Sequence, residues 1–175
     1  MSRALLLAFS FACLSTLPAW AQAPAPAAAA ARAAPGEGVE YLIGRWKASA
    51  EDPQTGEVMS IDYRVEPLPG GAWAAGSGVS SDQTLKSSDV WGRDPLTGEI
   101  VRVIFDGSGA FATVRSPGWA GDRLVLEGEV RSRGGVLRVR ESITRLGPDK
   151  FRAVWEAFRN GKWVAYSVET VTRQT

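Results

Sequence analysis

Met59-Ser60-Ile61-Asp62-Tyr63-Arg64-Val65-Glu66 alternates apolar and polar side chains without a break. A period of two puts Met59, Ile61, Tyr63 and Val65 on one face and the polar residues on the other, the pattern of a half-buried strand. Leu124, Leu126, Gly128 and Val130 oppose Arg123, Glu127, Glu129 and Arg131 in the same way. Phe151, Ala153, Trp155 and Ala157 oppose Arg152, Val154, Glu156 and Phe158, so aromatic rings fall on both faces and the direction of that strand stays open. One-sided burial on most strands fits an antiparallel sheet with one wet face.

Outward from these runs the chain reads as about ten strands, at 45–50, 57–67, 72–80, 87–93, 99–105, 110–116, 123–131, 136–146, 151–159 and 163–173. The gaps carry turn chemistry, among them Pro69-Gly70-Gly71, Asp106-Gly107-Ser108-Gly109, Gly134-Gly135, Gly147-Pro148-Asp149 and Asn160-Gly161. Proline presets the second residue of a turn and glycine takes the positive φ that follows. Short strands at 8–12-residue spacing joined this way predict a barrel or sandwich of antiparallel hairpins. Asp-Pro-x-Thr-Gly-Glu occurs twice, at 52–57 and 94–99. Each copy brings too few oxygens for the six to eight that calcium takes, so it reads as a repeated hairpin turn.

Ahead of the strands lie two segments of different character. Residues 1–21 read as a secretory signal: Arg3 is the positive end, Leu5 to Leu17 the apolar run, and Ala19-Trp20-Ala21 a small-residue site with cleavage before Gln22. A transmembrane anchor is the alternative, but the run is shorter than the roughly 20 residues a span needs. Cys13, the single cysteine, lies inside that run with Ser10 three residues before it, which does not suit a lipidation site. Residues 22–38 are Ala/Pro-rich and predict an extended tether. Residues 39–175 remain as one domain with one core. Removal of Arg3 leaves equal numbers of basic and acidic residues, scattered along the chain, whereas a nucleic-acid binder needs a basic footprint.

The chain contains no histidine. Ser-His-Asp and Cys-His catalysis lack their base, and zinc sites built on His or Cys lack their ligands. No catalytic serine elbow or Walker loop occurs. Carboxylates remain. Glu127 and Glu129 share a face and read as solvated. Glu141 falls with Leu137, Val139 and Ile143, so it points inward if they do, where it needs a partner or a raised pKa. Arg115, on the face of Phe111 and Thr113, is the candidate partner. Trp119 lies in the loop Pro117-Gly118-Trp119-Ala120-Gly121, where it can lid a cavity, touch a partner or pack on the barrel end.

Tyr41-Leu42-Ile43-Gly44-Arg45-Trp46 resembles the entry to calycin barrels, the lipocalin and fatty-acid-binding-protein relatives, in which a short helical turn precedes a G-x-W strand. Val90-Trp91-Gly92-Arg93-Asp94-Pro95-Leu96-Thr97-Gly98 and the ending Asn160-Gly161-Lys162-Trp163 with Thr170-Val171-Thr172-Arg173 resemble segments of small bacterial barrels of unassigned function. The resemblance implies an all-β, single antiparallel up-and-down β-barrel of ten or eight strands with a central cavity. Gly44, Trp46 and Arg173 would form its closure, the guanidinium lying across the indole. Related barrels that hold haem use a histidine, which this chain lacks, and no cofactor or metal is expected. On this basis the expectation is an exported protein, periplasmic or secreted, monomeric or homodimeric, binding a small apolar or amphipathic molecule. The expected cavity-lining residues are Tyr63, Trp73, Phe105, Phe111, Arg115, Glu141 and Trp155. The alternatives are an enzyme using an interior carboxylate and an envelope-interaction protein with a filled barrel; neither nucleic acid nor, after cleavage, a membrane-spanning segment is expected.

Overall fold

A computed structural model describes residues 38–175; the expected signal and all but the last residue of the Ala/Pro segment lie outside the described residues. The 3-10 turn Glu40–Leu42 leads into eleven strands. They are β1 (Gly44–Glu51), β2 (Val58–Pro67), β3 (Trp73–Ser80), β4 (Lys86–Arg93), β5 (Ile100–Asp106) and β6 (Phe111–Ser116). The second half holds β7 (Trp119–Ala120), β8 (Arg123–Ser132), β9 (Gly135–Gly147), β10 (Lys150–Arg159) and β11 (Lys162–Gln174). Among the described residues no helix is long and apolar enough to cross a membrane.

All pairings are antiparallel, and the sheet closes on itself at two seams. β1 to β6 form a meander, as do β8 to β11; β11 joins β1 with Trp46 opposite Arg173, and β6 joins β8 from Phe111–Arg131 to Arg115–Glu127. The result is a ten-strand barrel plus the two-residue β7, which settles the choice between ten and eight strands. Closure leaves no long free edge to pair with another chain. The loop expected at 117–121 instead pairs Trp119 with Leu124 and Ala120 with Arg123, extending the β8 edge that β6 leaves at Ser116.

The repeated Asp-Pro-x-Thr-Gly-Glu segments form matching turns. Asp52 N–H donates to Glu57 and Gly56 N–H to the Asp52 carbonyl; Asp94 with Glu99 and Gly98 with Asp94 repeat both bonds. The Asp52 and Asp94 carboxylates accept backbone N–H groups within their own turns, from Gln54 and Leu96. The conformation is thus held by local side-chain-to-backbone bonds.

One end of the barrel is sealed by the elements the G-x-W segment brings together. Trp46 is 1 % exposed, and its indole N–H donates to the Leu42 carbonyl at 2.7 Å. The Arg173 guanidinium lies 4.0 Å from the indole centre and donates to the Ile43 carbonyl at 2.8 Å and the Tyr41 carbonyl at 3.1 Å. Gly44 sits at φ +133°, and a β-carbon there would fall 2.5 Å from Arg173 Nη1. Both the positive φ and the close guanidinium call for glycine. Tyr41 meets Trp46, Trp119 and Phe151 edge-on or tilted, with centroids about 6 Å apart as aromatic pairs prefer. Trp119 donates to the Gly38 carbonyl and stacks under Arg145. It therefore packs on the barrel end, one of the three placements the loop reading left open.

Candidate functional site

Between that sealed end and the loops at the opposite end lies a cavity of about 360 Å³. Its walls combine aliphatic and aromatic groups, chiefly Ile61, Ile104, Val130, Ile143, Phe151 and Trp155. Leu85, Asp106, Ala110 and Phe111 stand where it approaches the loops between β3 and β4 and between β5 and β6.

Small residues make the room. Ala74, Gly76 and Gly78 point inward from β3, while Trp73 takes the outer face and covers Gly92. A β-carbon at Gly76 would fall 1.8 Å from Asp89 Oδ1 and 2.6 Å from the Tyr63 hydroxyl. Glycine there is what admits the polar group on the neighbouring strand.

That group is a buried cluster centred on Arg102 of β5. Its Nη1 donates to both oxygens of Glu141, at 2.8 and 2.7 Å. Its Nε donates to Asp89 Oδ2 at 2.8 Å, and Nη2 donates to the same oxygen and, at 3.4 Å, to the Tyr63 hydroxyl. The Tyr63 hydroxyl donates to Asp89 Oδ2 at 2.6 Å and accepts from the Trp91 indole at 3.0 Å. The guanidinium is stacked 4.4 Å from the Trp91 centroid, with Trp155 and Tyr63 further out. Each of the three guanidinium nitrogens has an acceptor in the cluster. Burial alone would lower the Arg102 pKa, but the Glu141 and Asp89 charges override it and hold the group firmly protonated. Burial pushes the Glu141 carboxyl upward, against the pull of Arg102. Burial also raises the Tyr63 hydroxyl far beyond its usual range.

A second acid stands apart from this cluster. Glu169 of β11 lines the cavity and, among the described residues, accepts only from the Ser167 hydroxyl, at 3.3 Å. Its cross-strand neighbours on both sides are alanines, Ala50 on β1 and Ala153 on β10. Burial, reinforced by the Glu141 charge, pushes its carboxyl up to about 7. Tyr166, the extra residue of a bulge opposite Trp155–Glu156, lines the cavity as well.

Of the residues expected to line the cavity, Tyr63, Phe111, Glu141 and Trp155 do so. Three do not. Phe105 is on the outer face and 50 % exposed, because Arg102, Ile104 and Asp106 take the inward positions of β5. Arg115 also points outward, to Asp94 at 2.9 Å and Glu99 at 3.5 Å, since Ala112, Val114 and Ser116 face inward on β6. Trp73 is outside for the reason given above. Glu141 has an arginine partner, but it is Arg102 and not Arg115.

Arg102, Asp89 and Glu169 escape a reading by alternation for distinct reasons. On β5 both faces are largely apolar (Ile100 and Ile104 against Val101, Val103 and Phe105), so the pattern gives no phase. On β4 the inward set is Ser87, Asp89 and Trp91, more polar than a core face usually is. On β11 the bulge at Tyr166 switches the phase: Val164 faces inward before it, and Ser167, Glu169 and Val171 after it. A one-residue insertion exchanges the two faces of a strand.

No protein-family model matches the chain, and no curated protein matches it. Among solved structures it is similar to one described as a redesigned beta barrel, with 13 % sequence identity, 79 % of this chain and 96 % of that chain covered, and a TM-score of 0.38. The barrel is established by its own strand pairings.

Proposed function

We propose that this barrel is a calycin-like carrier, exported to the periplasm or beyond, that binds a small, largely apolar molecule in its central cavity. The observation that carries this reading is the cavity itself. About 360 Å³ is left inside a closed barrel, with one end sealed by Tyr41, Trp46 and Trp119. Concave, mostly apolar sites with a few placed polar groups are where small ligands bind. A barrel built only to be packed would fill such a space, since each unfilled methyl-sized void costs about 1 kcal/mol.

The export part rests on the Arg3, apolar-run and Ala19-Trp20-Ala21 pattern at the start of the chain. Native mass spectrometry of protein purified from its own host tests the carrier reading. A co-purifying small molecule released by mild denaturation is expected; repeated recovery of the bare polypeptide mass speaks against it. The runner-up, an enzyme with an interior acid, is favoured by one observation. Glu169 sits near neutrality, where a general base works best, while both Glu141 oxygens are held by Arg102.

A further inference from the structure

We infer that the preferred occupant of the cavity is a cationic amphiphile, a small apolar molecule ending in a protonated amine, with its ammonium seated on Glu169 between Ala50 and Ala153; this rests on the ligand-binding reading above. The charge inventory points to cations. Among the described residues, Arg102 is the only basic side chain in the cavity lining, against Glu141, Glu169 and, at the loop end, Asp106. Asp89, just behind the lining, adds another acid on Arg102. The interior arginine is matched by Glu141 and Asp89 together before Glu169 is counted.

Arg102 is also unable to receive an anionic head group. Its three nitrogens are each directed at Asp89, Glu141 or Tyr63, and displacing either carboxylate would leave a buried charge without its partner. Glu169 is the reverse case. Among the described residues it has a single hydroxyl donor, two alanines beside it, and an apolar chamber in front of it. An ammonium there makes charge-assisted hydrogen bonds, and the methylene or ring portion covers Ile61, Ile104 and Trp155.

The groups that set the charge around Glu169 are Glu141 from β9, Arg102 from β5 and Ser167 from its own strand. Tyr166, which burial keeps protonated, also lines the chamber, and Asp89 and Tyr63 lie behind Arg102. Since the carboxyl holds its proton up to about 7, an entering cation displaces that proton below neutrality. Binding of the amine therefore strengthens with pH, and binding of a neutral analogue does not.

Three probes of one chain length separate these possibilities: n-octylamine, n-octanol and n-octanoate, titrated calorimetrically into the mature protein. An alkylammonium stays charged from pH 5 to 8, as a lysine side chain does. At pH 8 the amine is expected to bind about tenfold or more tightly than the alcohol, equivalent to 1.4 kcal/mol, and octanoate more weakly than either. Between pH 5.5 and 8 amine affinity rises about tenfold as Glu169 ionises, while octanol affinity stays level. Glu169→Gln removes most of the amine's advantage and leaves octanol binding in place; if that variant does not fold, the pH series on the unaltered protein decides. Octanol binding as well as octylamine, or octanoate binding best, overturns the inference and leaves the carrier reading standing. Failure of all three to bind overturns both.

Discussion

Glu169 and Arg102 are side chains whose positions cost stability unless something offsets them. The folded chain holds the Glu169 proton up to about 7, whereas an unfolded carboxyl releases it near its ordinary value of 4.5. The folded state binds more protons across that window, so stability falls as pH rises through it. The penalty is complete above about pH 7 and amounts to about 3 kcal/mol at most. Glu169→Gln should raise the denaturation midpoint at pH 8 and leave it almost unchanged at pH 4. Urea titrations at the two pH values check this. For Arg102 the expectation is opposite in sign: Arg102→Ala leaves Glu141 and Asp89 buried without a counter-charge, and should cost about 3–5 kcal/mol. Trp46→Ala removes the largest buried ring of the sealed end and should cost a similar amount, about 3–5 kcal/mol. A melting temperature unmoved by Trp46→Ala would mean that the G-x-W and Arg173 contact does not hold the ends together.

The strands themselves were readable because turn chemistry brackets each one, and their ends differ from the sequence reading by a residue or two. Glu141 was readable as an inward acid because β9 carries Val139 and Ile143 on its face. What alternation could not supply was phase where both faces are apolar, or where the inner face is polar, as on β5 and β4. It also missed β7, whose two residues are too few to alternate, and the bulge at Tyr166. That bulge yields a prediction at the level of the element. Deleting Tyr166 removes the extra residue, so strict alternation itself keeps Val164, Ser167 and Glu169 facing inward and leaves Arg173 opposite Trp46. The deletion should therefore cost less stability than Trp46→Ala. Tyr166→Phe keeps the bulge and should melt close to the unaltered protein. A deletion variant that melts as low as Trp46→Ala would show that closure needs the bulge residue itself.

At the scale of the molecule the barrel joins a sealed, aromatic end to a chamber that opens toward the β3–β4 and β5–β6 loops. The seal is formed by residues far apart in the chain, with Gly38, Tyr41, Trp46, Trp119, Arg145 and Arg173 converging on one end. The two seams, β1 with β11 and β6 with β8, make the chamber a product of the whole sheet and not of any one hairpin. Each nitrogen of Arg102 finds an acceptor within the polar cluster, while Asp89 Oδ1 is buried without a hydrogen-bond partner among the described residues; the apolar wall and Glu169 face the open chamber.

A chamber of this size and lining is proposed to admit a small apolar molecule. Fluorescence titration with N-phenyl-1-naphthylamine, a neutral dye that brightens in apolar surroundings, tests it most directly when run on the unaltered protein and on Ile104→Trp, which narrows the chamber. Saturable binding of one dye per barrel is expected, weakened about tenfold or more by the substitution while the fold persists by circular dichroism. No saturable binding, or binding that Ile104→Trp leaves unchanged, would contradict it.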